Sequence, residues 1–270
     1  MKVQKVLFIS SEISPYLTDS SNAELGLKLP QMVQESGRQI RTFMPRWGII
    51  NERRNQLHEV IRLSGMNIII DDTDHTLVIK VASVPSARIQ VYFIDNDDYF
   101  HHRGMLTDEM GAEYTDNYER TIFYARGVLE TVKKLRWKPD IIHCHGWIAA
   151  LAPLYIKTAY RDDPPFLDAK VVFSAYGEQP TIVPPASFRG SVAFRGLTDK
   201  VLRQSGVDFS SPTLLEDLML QFSDGVIQAK PGVAESTIAR ANEKGLPTLI
   251  CPDEEGFISA YTDFYETVAG

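Results

Sequence analysis

Two histidines stand where a β-branched run turns into an apolar helix. Residues 141–147 read Ile-Ile-His-Cys-His-Gly-Trp, and an alanine- and leucine-rich segment follows. This pattern predicts a strand-to-helix turn, and ligands of open α/β sheets bind at the carboxyl ends of strands. The imidazoles of His143 and His145 could therefore serve an active site. A buried strand end with two hydrogen-bonded histidines explains the same residues, and this window alone slightly favours it.

Other side chains with chemical potential are scattered along the chain. Trp47 follows a predicted strand and could stack on a sugar or a base, although a partly buried loop aromatic is an equally good interpretation. Glu178 also follows a strand and could act as an acid or base, but it has no identifiable carboxylate partner. His101 and His102 are adjacent and point to opposite sides, which argues against zinc. We predict no metal site.

The loop before the first predicted helix is the usual phosphate cradle of such folds, because glycines let backbone amides approach the anion. Residues 15–22 contain neither glycine nor lysine, and Asp19 adds a negative charge. The hydroxyls of Thr18, Ser20 and Ser21 could bind a sugar. A helix cap, which we assign to Asn22, is the favoured interpretation.

Hydrophobic periodicity predicts an α/β fold in which strands and helices alternate. Three consecutive strands separated by turn residues predict a β-meander insertion. We therefore expect a Rossmann-like, doubly wound and mainly parallel sheet. The predicted strands are residues 6–10, 39–44, 67–70, 76–82, 89–94, 170–174, 225–228 and 246–251, together with the short β-branched run after Pro139 that precedes the His-Cys-His-Gly corner. The predicted helices are residues 22–37, 114–134, 147–160, 213–222, 233–242 and 257–268.

The bulk properties exclude several classes of function. The chain has 270 residues and a net charge of −7, which gives no support to nucleic-acid binding. Cys144 and Cys251 are the only cysteines, and with no secretory leader pattern they predict a cytoplasmic protein. No apolar run approaches the roughly 20 residues that span a bilayer. We expect neither membrane nor nucleic acid as a partner.

The order of motifs resembles the N-terminal domain of bacterial glycogen and starch synthases. The segment Pro-Asp-Ile-Ile-His-Cys-His-Gly-Trp is similar to the family's Pro-Asp-(apolar)-His-x-His-Asp-Trp-His motif and is the most specific of the matches. The others are individually weak but occur in the family's order. The matching segments are residues 5–12 with Pro15, 29–30, 44–45, 113–117, 139–147 and 150–153.

Several family positions are changed in this sequence. The family's first loop reads Lys-Thr-Gly-Gly-Leu-Ala-Asp, and the residues aligned here are 18–24, Thr-Asp-Ser-Ser-Asn-Ala-Glu. The family's Asp-Trp-His becomes Gly146-Trp147-Ile148, its Thr-x-His-Asn becomes residues 174–177 with Tyr176, and its Ser-Pro becomes Lys230-Pro231. We therefore name no catalytic residue, and we regard Thr18, Ser20, Ser21, Ile148 and Tyr176 as degenerate family positions.

The resemblance implies a GT-B glycosyltransferase domain whose family transfers glucose from ADP-glucose to an α-1,4-glucan with retention. It also implies a second, donor-binding domain, which we expect to be absent. Residues 1–270 would then form one domain, with a helix in residues 256–270 packing back on it. We expect no cofactor and no glucosyl transfer by this chain alone.

Three hypotheses follow for the function: glucan binding, completion by a separate chain that carries a GT-B C-terminal domain, or a pure interaction module. The sequence leaves the oligomeric state open. We expect the ligand-binding candidates to be Trp47, Tyr99, Asp116, Asn117, His145, Trp147 and Glu178.

Overall fold

The computed structural model describes residues 2–18, 20–252 and 254–270. Within these ranges ten strands and eight α-helices alternate along the chain. The strands are β1 (Lys5–Ser10), β2 (Gln39–Pro45), β3 (His58–Glu59), β4 (Met66–Ile70), β5 (Thr73–Val84), β6 (Ile89–Asp95), β7 (Ile141–His145), β8 (Lys170–Ala175), β9 (Gly225–Gln228) and β10 (Thr248–Leu249). The helices are α1 (Ser21–Glu35), α2 (Asn117–Leu135), α3 (Leu151–Lys157), α4 (Phe188–Val192), α5 (Asp199–Gln204), α6 (Leu214–Phe222), α7 (Glu235–Glu243) and α8 (Phe257–Ala269).

The sheet has the strand order β10-β9-β8-β7-β1-β2-β6-β5-β3, and β4 pairs with β5. All pairs from β10 to β6 are parallel, which confirms the predicted mainly parallel α/β fold. The predicted meander is also present, because β5 is antiparallel to β4 and to β6. Since β6 continues the parallel sheet beside β2, the meander extends the main sheet.

Alternation along the central strands separates two hydrophobic cores. In β1, Leu7 and Ile9 belong to the core on the α2 side, whereas Val6 and Phe8 belong to the core that α8 covers. Helix α8 is therefore part of the domain, and its Tyr261 and Tyr265 are fully buried.

Some local predictions need correction. Ser20, rather than Asn22, caps α1, because its side chain accepts hydrogen bonds from the backbone amides of Asn22 and Ala23. The segment predicted as a helix from Trp147 begins as a 3-10 turn over Trp147–Ala149. Helix α5 was not predicted, since it has six residues and buries only Leu202. Asp19 lies outside the described residues. No helix in the described ranges is long and apolar enough to cross a membrane.

Candidate functional site

The two histidines of the predicted corner lie on one face of β7, under α8. Their ring centroids are 3.9 Å apart. His143 is fully buried and both of its ring nitrogens have partners, the hydroxyl of Tyr265 at 2.7 Å and that of Ser174 at 2.8 Å. Burial lowers the pKa of His143 well below its usual value, and the neighbouring His145 lowers it further. These contacts favour a structural role for His143.

His145 lies two residues closer to the carboxyl end of β7, and only one of its ring nitrogens has a hydrogen-bond partner in the described part of the chain. Its Nδ1 is 3.0 Å from the hydroxyl of Tyr176, whereas its buried Nε2 has no hydrogen-bond partner among the described residues. Burial lowers the pKa of His145 to about 3, so the ring is neutral at physiological pH. His145 lines a cavity of about 10 Å³ together with Glu12, Asn22 and Trp147. That is the space of a single water molecule.

Gly146 turns the chain at the end of β7. Its φ of 76° and ψ of 169° fall in a region that only glycine adopts readily. A Cβ at this position would lie 1.9 Å from the Oγ of Ser11, which itself donates to the carbonyl of His145 at 3.1 Å. The following Trp147 is 4% exposed, and Ile148 is fully buried in the core. The side chain of Ile148 therefore supports the corner and is not presented to a ligand.

The first loop is linked to two other loops at the same edge. The Nζ of Lys230, from the loop after β9, donates to the Oγ of Ser21 at 2.5 Å and to the Oδ1 of Asn22. The amide of Asn22 donates in turn to the Oε2 of Glu178 at 3.4 Å. We call this arrangement the Lys230 bridge. Sequence reasoning treated Lys230 only as a departure from the family, because its partners lie more than 200 residues away.

Glu12 is a buried carboxyl group that sequence reasoning did not single out as a site residue. It is 6% exposed, and this burial raises its pKa. The nearby charge of Glu178 also raises the pKa, whereas a hydrogen bond from Ser20 lowers it. Gly26 lets α1 approach this residue, since a Cβ there would lie 2.1 Å from the Glu12 carbonyl oxygen. The available signal in the sequence was the family match over residues 5–12 with Pro15.

A larger groove of about 520 Å³ lies beside Glu12 at the carboxyl edge. We call it the carboxyl-edge groove. It combines two carboxyl groups, hydroxyls and apolar surface, and its described lining contains no lysine or arginine. The lining residues are Glu12, Tyr16, Leu17, Thr18, Ser20, Ile49, Met105 and Glu178. Of the predicted site residues, Thr18, Ser20 and Glu178 therefore share one groove, while His145, Trp147, Tyr176 and Glu178 line the small cavity next to it.

Trp47 lies beneath this region and is not presented to it. The indole is fully buried, its Nε1 donates to the carbonyl of Ser11 at 2.7 Å, and its ring centroid is 6.4 Å from that of Trp147. The guanidinium carbon of Arg120 lies 4.9 Å from the Trp47 ring centroid. This packing favours the buried-aromatic interpretation of Trp47 over sugar stacking.

The remaining candidates form structural contacts away from the groove. The hydroxyl of Tyr99 is 3.0 Å from the Nε2 of His75 and also donates to Glu119. Asp116 pairs with Arg103. The fully buried Asn117 donates to the Leu106 carbonyl at 2.9 Å and accepts from Arg120 at 2.8 Å. None of the three predicted residues, Tyr99, Asp116 and Asn117, lines the groove or the small cavity. The described residues include no group of three or more His, Cys, Asp or Glu arranged to hold a metal ion.

A protein-family model and several curated proteins match this chain. The family model described as "Starch synthase catalytic domain" matches residues 5–250. Glycogen synthases of Chlorobium limicola and Chlorobium luteolum are each 43% identical over 173 residues, which is 64% of this chain and 35% of each relative. The chain therefore spans about a third of the length of these curated relatives.

A solved structure shares the fold. The catalytic domain of starch synthase IV from Arabidopsis thaliana, bound to ADP and acarbose, superimposes with a TM-score of 0.70. The match has 20% sequence identity and covers 93% of this chain and 52% of that chain. At this identity the likeness concerns the fold alone.

Proposed function

Since this chain belongs to the starch synthase catalytic-domain family, as its motifs predicted, we propose that it binds an α-glucan chain in the carboxyl-edge groove without transferring glucose by itself. The observation that carries the proposal is the Lys230 bridge beside a groove that contains two carboxyl groups and no free cation among its described lining residues.

The bridge argues against a diphosphate at the first loop. A nucleotide-sugar leaving group needs preorganised positive charge. The ammonium of Lys230 already donates to Ser21 and Asn22, and Asn22 donates to the carboxylate of Glu178. The charges of Lys230 and Glu178 both act on the buried carboxyl group of Glu12. A diphosphate would have to displace these hydrogen bonds and would meet two acidic groups. The local charges therefore disfavour an anionic nucleotide sugar, whereas they do not disfavour a neutral ligand.

The groove suits a neutral polyhydroxylated chain. Binding sites of this kind combine apolar surface with a few well-placed polar groups. Leu17, Ile49 and Met105 supply apolar surface, and Thr18 and Glu178 supply groups that accept hydrogen bonds from sugar hydroxyls. The Arabidopsis relative was solved with ADP and acarbose. We propose that this chain has a saccharide ligand and no nucleotide ligand.

The degenerate positions support a lack of catalysis by this chain alone. Ile148 is buried in the core. Tyr176 directs its hydroxyl to the Nδ1 of His145, and the low pKa of His145 leaves the ring neutral. The ring of His145 and the hydroxyl of Tyr176 thus bond to each other, and neither residue lines the groove.

Completion by a separate chain is the second candidate. Three large apolar side chains are strongly exposed on loops that follow the carboxyl ends of β2, β6 and β8. They are Ile49, Met110 and Val183, with exposures of 63%, 93% and 75%. Apolar groups on this edge favour contact with another protein surface. We propose that a partner which carries a donor-binding domain would dock on this edge.

Calorimetric titration with maltoheptaose, ADP and ADP-glucose tests the proposal. We expect maltoheptaose to bind and neither nucleotide to bind at micromolar concentration. Glu178→Ala should weaken maltoheptaose binding roughly tenfold, because it removes a charged hydrogen-bond acceptor. Glu59→Ala is the matched control, since Glu59 is exposed on β3 and lines neither cavity. Micromolar binding of ADP-glucose, or no binding of maltoheptaose, would contradict the proposal.

A further inference from the structure

The opposite, amino edge of the sheet carries a second groove that the glucan proposal does not use. It lies where α1 ends and where β2 and β6 begin, and it has a volume of about 360 Å³. We call it the arginine groove. Side chains with guanidinium or amide groups dominate its lining, and no acidic side chain is among the described lining residues. These side chains are Gln34, Arg38, Gln39, Arg41, Arg88 and Gln90, with Ile40 as the apolar member.

Two of the three guanidinium groups lack a carboxylate partner among the described residues. Arg88 is exposed and forms no ion pair there, and Arg41 lies with its Cζ 5.6 Å from the ring centroid of Trp137. The Nε of Arg41 is buried without a hydrogen-bond partner. These arginines without an ion-pair partner contrast with the net charge of −7 of the whole chain. The field of this groove is therefore local and positive.

Arg38 is the third guanidinium group of the groove, and two of its three nitrogens already have hydrogen-bond partners. Its Nη2 pairs with Glu266 at 3.1 Å and its Nη1 donates to Ser36 at 2.9 Å, whereas its Nε is buried without a partner. Glu35 lies in the adjoining cavity, where its carboxylate accepts from the amide of Gln31 at 2.9 Å. Glu266 is thus paired with Arg38. Glu35 bonds only a neutral amide and shares the adjoining cavity with Arg88, so it keeps its negative charge there. Neither acid forms an ion pair with Arg41 or Arg88 among the described residues.

The groove is also built with neutral hydrogen-bonding groups. The amide nitrogen of Gln34 donates to the carbonyl of Arg88 at 3.3 Å, which joins the end of α1 to the turn before β6. The Oε1 of Gln34 is buried and has no partner. The amides of Gln39 and Gln90 line the same space. These groups can bond the hydroxyls of a ligand whose anionic end is held by the arginines.

We propose that the arginine groove binds the phosphate group of a small, hydroxylated phosphate monoester. A phosphate monoester carries a charge of about −1.5 to −2 at pH 7, and it could pair with the two guanidinium groups that form no ion pair among the described residues. The planar guanidinium fork bonds phosphate oxygens in pairs, so arginine is well suited to this anion. The space of about 360 Å³ exceeds what the phosphate group alone fills.

Calorimetry on the full chain with glucose 6-phosphate and with inorganic phosphate, at constant ionic strength, tests this inference. Arg88→Gln should weaken the binding of both anions roughly tenfold or more, because it removes charge-assisted hydrogen bonds. Arg88 is exposed, so the variant should fold normally. Arg62→Gln is the matched control, since Arg62 is exposed and lines neither groove. Maltoheptaose binding serves as an independent readout and should be the same in both variants.

The two anions distinguish the source of the phosphate. If glucose 6-phosphate binds more tightly than inorganic phosphate, the ligand is a phosphate ester whose hydroxyls bond the glutamine amides. Equal binding of both anions would overturn the ester and leave a site for free phosphate. Failure of both anions to bind at millimolar concentration, or equal binding by the wild type and Arg88→Gln, would overturn the arginine groove as a phosphate site. Neither result bears on the glucan proposal, whose ligand is neutral and lies at the other edge.

Discussion

Tyr265 and Tyr261 give a matched test of how α8 is held on the sheet. Both side chains are fully buried on the same helix, one turn apart. The hydroxyl of Tyr265 lies 2.7 Å from the Nδ1 of His143, whereas the hydroxyl of Tyr261 has no hydrogen-bond partner among the described residues. Replacement of each tyrosine by phenylalanine removes one oxygen atom and leaves the ring packing in place.

The two variants should change the free energy of unfolding by different amounts. Tyr265→Phe leaves the Nδ1 of a fully buried His143 unpaired, and such a group costs about 1–3 kcal/mol. Tyr261→Phe removes a hydroxyl that already lacks a partner, so its effect should lie between zero and a stabilisation of about 1 kcal/mol. For a domain of this size, 1 kcal/mol corresponds to a change in Tm of roughly 2–4 °C.

Urea unfolding followed by circular dichroism, with thermal melts in parallel, measures both differences. The m-values should be unchanged, because the surface exposed on unfolding is nearly the same. The double variant should lose about as much stability as Tyr265→Phe alone. Equal destabilisation by the two single variants would refute the reasoning, since it would mean that ring environment and not the hydrogen bond to His143 decides the cost.

Other consequences of the corner and of α8 can be measured in the same way. His143 and His145 stay neutral in the folded chain, because burial lowers the pKa of both. In the unfolded chain the same histidines bind protons below a pKa of about 6.5. The free energy of unfolding should therefore be greatest above that pH and should fall on acidification. His145→Gln should reduce the loss between pH 7 and pH 5 by about 2 kcal/mol, and an unchanged pH slope would contradict this. Gly146→Asp, which restores the family residue, should destabilise the chain by more than about 2 kcal/mol because its Cβ meets Ser11 and its φ is positive, and a melt equal to wild type would exclude that strain. Deletion of the residues after Gly256 should cost more than about 5 kcal/mol and abolish cooperative unfolding, since it exposes the core under α8, and an unchanged Tm would show that α8 is dispensable.

Much of the fold was predictable because its signals are local. The buried runs of β1, β2 and β7 and the periodic apolar face of α2 are continuous in sequence and could be identified directly. The cap of α1 was misplaced by two residues, because Ser20 and Asn22 are equally good capping types and only backbone geometry separates them.

The site was less predictable because its contacts are long-range. Spacing placed His143 and His145 at a strand end correctly, but not their partners Tyr265 and Tyr176, which lie 122 and 31 residues further along the chain. Trp47 is buried and does not face a ligand. No sequence pattern distinguishes a loop tryptophan that stacks on a sugar from one that packs beneath the loop.

The positions that differ from the expected family pattern at this edge are in contact with neighbouring residues. Tyr176, in place of the family's histidine, bonds the Nδ1 of His145; Lys230 bonds Asn22 of the altered first loop; and Gly146 adopts a backbone conformation that the family's aspartate would strain. Tyr176 and Gly146 thus fit the retained residues His145 and Ser11, and Lys230 fits the altered first loop. The hydrogen bonding of the corner is partial, since the buried Nε2 of His145 has no partner among the described residues. We therefore expect that no single reversion at these positions will create a site for a diphosphate, because Lys230 would still be bonded to the first loop.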